Sequence, residues 1–176
     1  QLKVNSIIPV SGVPTGGGGG IIQVISATKT DAFTTTAPIS SPAAVTGLAC
    51  TITPTSTSSK ILIIVNIGMA NATNDDYGVR FHLYRGGSEI AAAKGDAAGN
   101  RVRVTFSIRT SKDTRFSAPS MTYLDSPSTT SATTYQLYCS VEPNGGSACI
   151  NRDGFGGDTE ELPRTISTFT VQEVSA

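Results

Sequence analysis

The sequence is poor in the residues that most enzymes use for catalysis and metal binding. Its 176 residues contain no tryptophan, a single histidine and three cysteines without a C-x-x-C spacing. A pair of histidine ligands therefore cannot form within one subunit, and a Ser–His–acid triad would depend wholly on His82. A G-x-S-x-G turn, which would expose a nucleophile, is also absent. We expect no enzymatic activity, no cofactor and no metal site.

Charge is scarce and balanced. Thirteen basic and thirteen acidic residues give a formal net charge of zero, and only 15% of residues are charged. Binding to nucleic acid or to an anionic membrane surface by bulk charge is therefore disfavoured. No apolar run approaches the ~20 residues that a membrane-spanning helix needs, and the first residues lack the apolar core of a signal peptide. We expect a soluble chain with no nucleic-acid partner and no membrane insertion.

The three cysteines are Cys50, Cys139 and Cys149. Cys139 and Cys149 flank a predicted hairpin at residues 143–146, so a cross-strand disulfide is one interpretation. The other is that they are small buried hydrophobic residues of a protein folded in a reducing cytoplasm, and this interpretation is preferred. All three are expected to be free thiols.

Strand patterns dominate the chain. No apolar 3.6-residue period persists for three turns, while short apolar runs recur between clusters of Gly, Pro, Asn, Asp and Ser, a habit typical of sandwiches and barrels. The predicted fold class is all-β, an antiparallel jelly-roll-like β sandwich. The predicted strands cover residues 21–26, 45–52, 60–69, 78–85, 89–93, 101–109, 116–124, 133–141, 148–151 and 164–174.

Alternation assigns faces to several of these runs. Apolar and polar residues alternate in 78–85 and in 101–109, which predicts one wet face for each and places His82 on a polar, surface or interface side. The run 164–174 alternates only in part, which indicates a bulge or shared burial. The run 61–65 is apolar on both faces, so its second face must be covered either by the chain's own loops or, preferably, by a partner subunit. The predicted subunit-interface residues are Ile61, Ile63 and Val65.

The first twenty residues differ from the rest. Spaced apolar residues are followed by five consecutive glycines, which predicts an anchoring arm and tether (1–20) joined to a β-sandwich head (21–176). The glycine run lacks the strand, helix and Lys-Ser or Lys-Thr pair of a phosphate-binding loop. The arm's apolar side chains cannot bury one another in so short a segment, so they should attach to another protein or to sister arms. The attachment residues are Leu2, Val4, Ile7, Ile8 and Val10.

Two polar loops are candidates for contacts. In 95–103, small residues would let Asp96, Arg101 and Arg103 lie together, either as an Asp–Arg clamp that orders the loop or as a ligand contact. The acidic, Gly-rich loop with Asp153 and Asp158 could chelate calcium, although it lacks the order of an EF-hand and such loops are mostly just solvated. A glycosidase would need two placed carboxylates beside an aromatic-lined cleft, which the composition disfavours.

Many segments of the chain resemble short virion structural proteins of tailed phages, especially marine and cyanobacterial ones. The resemblance covers nearly the whole chain and supplies no catalytic residues. Among the segments that carry it are residues 1–10 with the glycines 16–20, Lys29-Thr30-Asp31, Gly95-Asp96-Ala97-Ala98-Gly99-Asn100-Arg101, Leu124-Asp125-Ser126-Pro127 and Arg164-Thr165-Ile166-Ser167-Thr168.

A looser resemblance links residues 79–90 to the jelly rolls of tumour necrosis factor and complement globular heads, whose domains are trimers. Together the two resemblances imply a homotrimeric virion-surface protein, a short fibre or appendage subunit that contacts other virion proteins through its arm and a host surface glycan or protein through its head. A capsid decoration protein is the alternative. A host-glycan hydrolase is a distant third.

Overall fold

The computed structural model describes residues 20–111, 116–154 and 160–175. These residues form twelve β-strands and one short 3₁₀ turn at Ala91–Ala93. The strands are β1 (Ile21–Lys29), β2 (Phe33–Thr35), β3 (Ala43–Ile52), β4 (Lys60–Asn66), β5 (Ala70–Ala72), β6 (Tyr77–Arg85), β7 (Ser88–Glu89), β8 (Phe106–Thr110), β9 (Ser120–Asp125), β10 (Thr133–Val141), β11 (Ala148–Ile150) and β12 (Ser167–Val174).

Antiparallel pairing organises these strands into two main sheets and a small third one. The four-stranded sheet has the order β1-β12-β4-β9, and the five-stranded sheet has the order β3-β10-β6, with β7 and β8 both pairing with the far edge of β6. Strands β2, β11 and β5 form the third sheet. With the four shortest strands set aside, the remaining eight lie in the orders β1-β12-β4-β9 and β3-β10-β6-β8, the arrangement of a jelly roll. The predicted all-β fold is confirmed.

The core lies between the two main sheets and is built by alternation. Every second residue of β4 and β12 points inward and is buried, while the intervening residues point away. Val79, Phe81 and Leu83 share the core side of β6, as their spacing predicts. The ring of Phe81 stacks on that of Phe106, with 4.6 Å between centroids, so β8 is fastened to the same core.

Residues Ile61, Ile63 and Val65 belong to this core. Each is 0% exposed within a single chain, so the prediction that they form a subunit interface is wrong. The reason is the period of two in a strand: one set of alternate residues in β4 fills the sandwich, and the other set faces outward. The outward set is Leu62 and Ile64, which are only partly buried.

Other differences from the predicted strands have local causes. Residues 101–105 are not a strand, and Val102 is 46% exposed, because the segment closes a loop through a hydrogen bond from Gly95 N to Val104 O. The irregularity predicted for 164–174 lies in its partner, where the β1–β12 register shifts between Ile21 and Gln23. Strands β2 and β5 were not predicted from the sequence, because three-residue strands carry little periodicity.

Candidate functional site

The outward side of the four-stranded sheet carries a patch of apolar residues, here called the outer face. Register aligns Val24 with Gln172, Leu62 and Leu124 across all four strands, and Ile64 lies two residues further along β4. Val24 is 55% exposed and Leu124 is 51% exposed, while Leu62 and Ile64 are half-buried. Leu62 and Leu124 are neighbours, and Gln172 lies between Leu62 and Val24. An exposed patch of apolar side chains among polar ones is typical of a surface that another protein covers.

Uncharged polar residues surround this patch. Across β1 and β12, the hydroxyls of Ser26 and Thr170 lie 2.7 Å apart, and Asn66 Nδ2 donates weakly to Thr168 Oγ1 at 3.4 Å. Lys60 is the one charged side chain that we find among the described residues of the face, and its Nζ donates to Ser126 Oγ at 2.7 Å. Two copies of this face would meet without bringing like-charged clusters together.

A sequence signal for the outward set exists. Lys60, Leu62, Ile64 and Asn66 occupy alternate positions, so the two polar ends of β4 mark the side that faces away from the core. Interpreting 61–65 as equally apolar on both faces overlooked these flanking residues. Val24 and Leu124 lie on the same face as Leu62 only because strands that are distant in the sequence pair with one another. The sequence pattern does not specify this pairing.

His82 lies at the centre of a buried hydrogen-bond chain on the other face of β6. Its Nδ1 lies 2.9 Å from Glu89 Oε1, its Nε2 lies 2.9 Å from Ser140 Oγ, and Lys94 Nζ donates to Glu89 Oε2 at 2.8 Å. The prediction that His82 lies on a wet face, at the surface or at an interface, is wrong, since His82 is buried within the single chain. Residues Glu89 and Lys94, from β7 and the end of the 3₁₀ turn, cover the ring.

Protonation follows from these surroundings. Burial lowers the pKa of His82 and outweighs the opposing effect of Glu89, so the ring is neutral near pH 7. Burial works against ionisation of Glu89, but hydrogen bonds from Lys94 and His82 lower its pKa overall. An ionised carboxylate only accepts, so Nδ1 carries the proton and Nε2 accepts from the Ser140 hydroxyl.

The chain Ser140–His82–Glu89 has the order of a Ser–His–acid triad. Ser140 is nevertheless 0% exposed, near the end of β10, so no substrate carbonyl can reach its Oγ in this conformation. A nucleophile needs access as well as a base. The arrangement therefore satisfies buried polar groups and fixes β7 against β6 and β10.

A second buried network joins the two main sheets at one edge of the sandwich. Asp125 Oδ2, at the end of β9, accepts hydrogen bonds of 2.6 Å from both Arg85 Nη1 and the Tyr135 hydroxyl. Burial and the Asp125 carboxylate both raise the pKa of Tyr135, so this hydroxyl stays a donor at all physiological pH values. Beside the network opens a cleft of about 470 Å³ lined in part by Arg85 and Asp125.

The loop at 95–103 does not form the predicted Asp–Arg clamp. Arg103 Nε donates to the Gly95 carbonyl at 2.6 Å, and Asp96 forms no ion pair within the part of the chain that the structure describes. Asp96, Arg101 and Arg103 are all exposed. A backbone carbonyl therefore orders the loop, and the three charged residues do not converge on one point through a shared ion pair.

The other predicted contact residues are divided. Asp153 is buried, in contrast to the solvated loop expected from the sequence, and Asp158 lies outside the described residues. The arm residues Leu2, Val4, Ile7, Ile8 and Val10 also lie outside them. Within 20–111, 116–154 and 160–175, we find no group of three His, Cys, Asp or Glu residues placed to hold a metal ion.

All three cysteines are buried free thiols. Burial raises the pKa of each thiol. For Cys139, burial and the nearby Cys149 together raise the pKa to about 12. Thiolates are the reactive form of cysteine, so these residues act as small apolar groups in the core at neutral pH.

Comparisons with models of known protein families and with curated proteins gave no match. In the described residues, no helix is long and apolar enough to cross a membrane.

Proposed function

We propose that this chain is a non-enzymatic structural subunit of a phage particle, a short fibre or appendage that is exposed on the virion surface and contacts the host. It assembles as a homotrimer through the outer face of the four-stranded sheet and attaches to other virion proteins through residues 1–20. The sequence resemblance to phage virion proteins supports the proposal that the chain is part of a phage particle. The fold-level resemblance to trimeric jelly rolls supports the proposal that it forms a trimer.

The observation that carries the proposal is the outer face itself. Val24, Leu62, Ile64 and Leu124 bring apolar area from β1, β4 and β9 to one side of the sheet, and the surrounding residues are Ser, Thr, Asn and Gln together with Lys60. Burial of apolar surface drives most protein association, and each such side chain contributes on the order of 1–2 kcal/mol when it is fully covered. Apolar residues surrounded by uncharged ones favour a permanent contact with a second copy.

Light scattering after size exclusion tests this assembly. At micromolar concentration the full-length protein should have the mass of three chains, and Leu62→Asp should yield a folded monomer, because a carboxylate there would be desolvated at the interface. Thr51→Asp is the matched control, since Thr51 is exposed on the opposite sheet and should leave the trimer intact. A stable wild-type monomer at micromolar concentration would refute the proposal.

A further inference from the structure

A partly open cleft lies between the β6–β7 side and the β9 side of the sandwich. Its volume of about 470 Å³ lies within the range of ligand pockets in proteins. One wall comes from the end of β6, β7 and the 3₁₀ turn, and the other comes from the end of β9. The residues that line it and matter below are Arg85, Ser88, Ala91, Ala92, Tyr123 and Asp125.

Hydrogen-bond donors and acceptors lie side by side in the cleft. Arg85 is about one-third exposed, and its Nη1 is held by Asp125 and by the Ser126 carbonyl. Arg85 lines the cleft and is partly exposed, so its guanidinium, a group with five N–H donors, can donate to a ligand there. The exposed Ser88, which pairs with Arg85 across the β6–β7 turn, adds a hydroxyl that can donate and accept.

Charge in the cleft is balanced internally. Arg85 is paired with Asp125 at 2.6 Å, and both residues line the cleft. The charge of the guanidinium is therefore compensated by the protein, and the cleft offers oriented hydrogen bonds without a net field that would favour a phosphate or a metal cation. A ligand that fits is neutral and carries several hydroxyl groups that both donate and accept.

Apolar surface completes the site. Ala91 and Ala92 are exposed, Ile90 is buried beneath them, and the half-buried Tyr123 lies opposite. Burial is the largest of the causes that raise the pKa of Tyr123, so its hydroxyl is a neutral donor beside a partly desolvated ring. Aliphatic and aromatic walls with a few placed polar groups match a pyranose ring, which has C–H faces and a hydroxyl rim.

We propose that the cleft between Arg85, Ser88 and Tyr123 binds a neutral sugar unit. In the proposed function this unit would belong to a host surface glycan, and the inference rests on that function only for the source of the sugar. Its test uses the purified full-length protein, so its outcome is separate from that of the oligomer experiment.

Saturation-transfer difference NMR provides the test. The probes are methyl β-D-glucopyranoside, methyl β-D-galactopyranoside, methyl α-L-rhamnopyranoside and N-acetylglucosamine, with glucuronic acid and inorganic phosphate as anionic comparisons. Ring-proton signals should appear for at least one neutral probe. They should be lost in Ala92→Trp, which fills the cleft from an exposed position, and be retained in Ala97→Trp, an exposed alanine that does not line it.

Two further variants test the cleft in case Ala92→Trp does not fold. Arg85→Lys keeps the positive charge beside Asp125 but removes the fork, and should weaken the signal of the bound sugar while circular dichroism stays native. Ser88→Trp fills the cleft from another exposed position on the same wall as Ala92 and should also abolish the signal. Absence of signal for every neutral probe, signal only for the anionic ones, or full signal in the folded Ala92→Trp protein would each overturn the proposal.

Discussion

Glu173 is a fully buried carboxylate at the core-facing end of β12. Gln23 Nε2 donates to it at 2.6 Å, and the backbone N and Oγ1 of Thr55 each donate at 2.7 Å. Burial alone would raise the pKa of Glu173, but these hydrogen bonds outweigh it and lower the pKa to about 2. The ionised form is thus the one that the fold accommodates.

The pH dependence of stability follows from this shift. Since the folded-state pKa lies below the unfolded value, Glu173 stabilises the protein above pH 4.5, and this contribution disappears as the pH falls from 4.5 toward 2. Glu173→Gln should cost about 2 kcal/mol at pH 7 and much less near pH 2, as measured by urea unfolding at several pH values. Glu160→Gln, at an exposed position, should follow wild type throughout. A Glu173→Gln protein with the wild-type pH profile would contradict the assignment.

Buried polar residues also mark where sequence patterns fail at this scale. His82 alternates with apolar residues in β6, which predicts a solvated position, and Glu173 is an acidic residue near the end of β12 whose burial no local pattern indicates. Their burial depends on residues far along the chain: Ser140 for His82, and Gln23 and Thr55 for Glu173. Such partners are adjacent only after the sheets have paired, so no local window of sequence contains the information.

Between elements, the turn that follows β4 makes a close approach to the beginning of β12. Gly68 N donates to Ser167 Oγ at 3.2 Å, and a Cβ built on Gly68 would collide with the Ile166 carbonyl oxygen and the Thr165 side chain. Gly68→Ala should therefore lower the free energy of unfolding by about 1–3 kcal/mol, because backbone must shift to admit the methyl group. Urea unfolding measures the change.

Gly95→Ala provides the matched control. A Cβ at Gly95 meets no atom within 4 Å, so its effect should stay within ~0.5 kcal/mol. Equal stabilities for the two alanine variants would show that the contact between the two segments tolerates displacement.

Element type was more predictable than element extent. Most longer strands, including β1, β3, β6 and β10, were found near their predicted positions because apolar alternation between Gly, Pro and Ser clusters is a local signal. The face of β4 was the critical error. Ile63 and Ile64 are chemically identical and adjacent, yet one fills the core and the other lies on the outer face, and only the polar residues at the ends of the strand distinguish them.

For the whole molecule, the two chain ends of the described head meet at one edge of the sandwich. Gly20 N donates to Ser175 Oγ at 2.9 Å, and Ser175 N donates to the Gly20 carbonyl at 2.9 Å, so Gly20 is paired with the head. Residues 1–19 therefore join the head beside β1, an edge strand of the sheet that carries the outer face. Attachment and self-association are proposed to lie on neighbouring parts of the subunit, with the sugar cleft on the edge formed by β9, β6 and β7.

Deletion of residues 1–19 tests this division. The head has its own core from Val45 to Val171, and its outer face is made by β1, β12, β4 and β9 alone, so the truncated protein should fold and remain trimeric. Without Leu2, Val4, Ile7, Ile8 and Val10, it should no longer join particles, because an extended apolar segment that docks on another protein supplies both burial and backbone hydrogen bonds. Circular dichroism, light scattering and co-sedimentation with particles measure the three properties, with the full-length chain as reference. Loss of fold or of the trimer would place residues 1–19 in the head's own structure, whereas normal incorporation would move attachment to the surfaces of the sandwich.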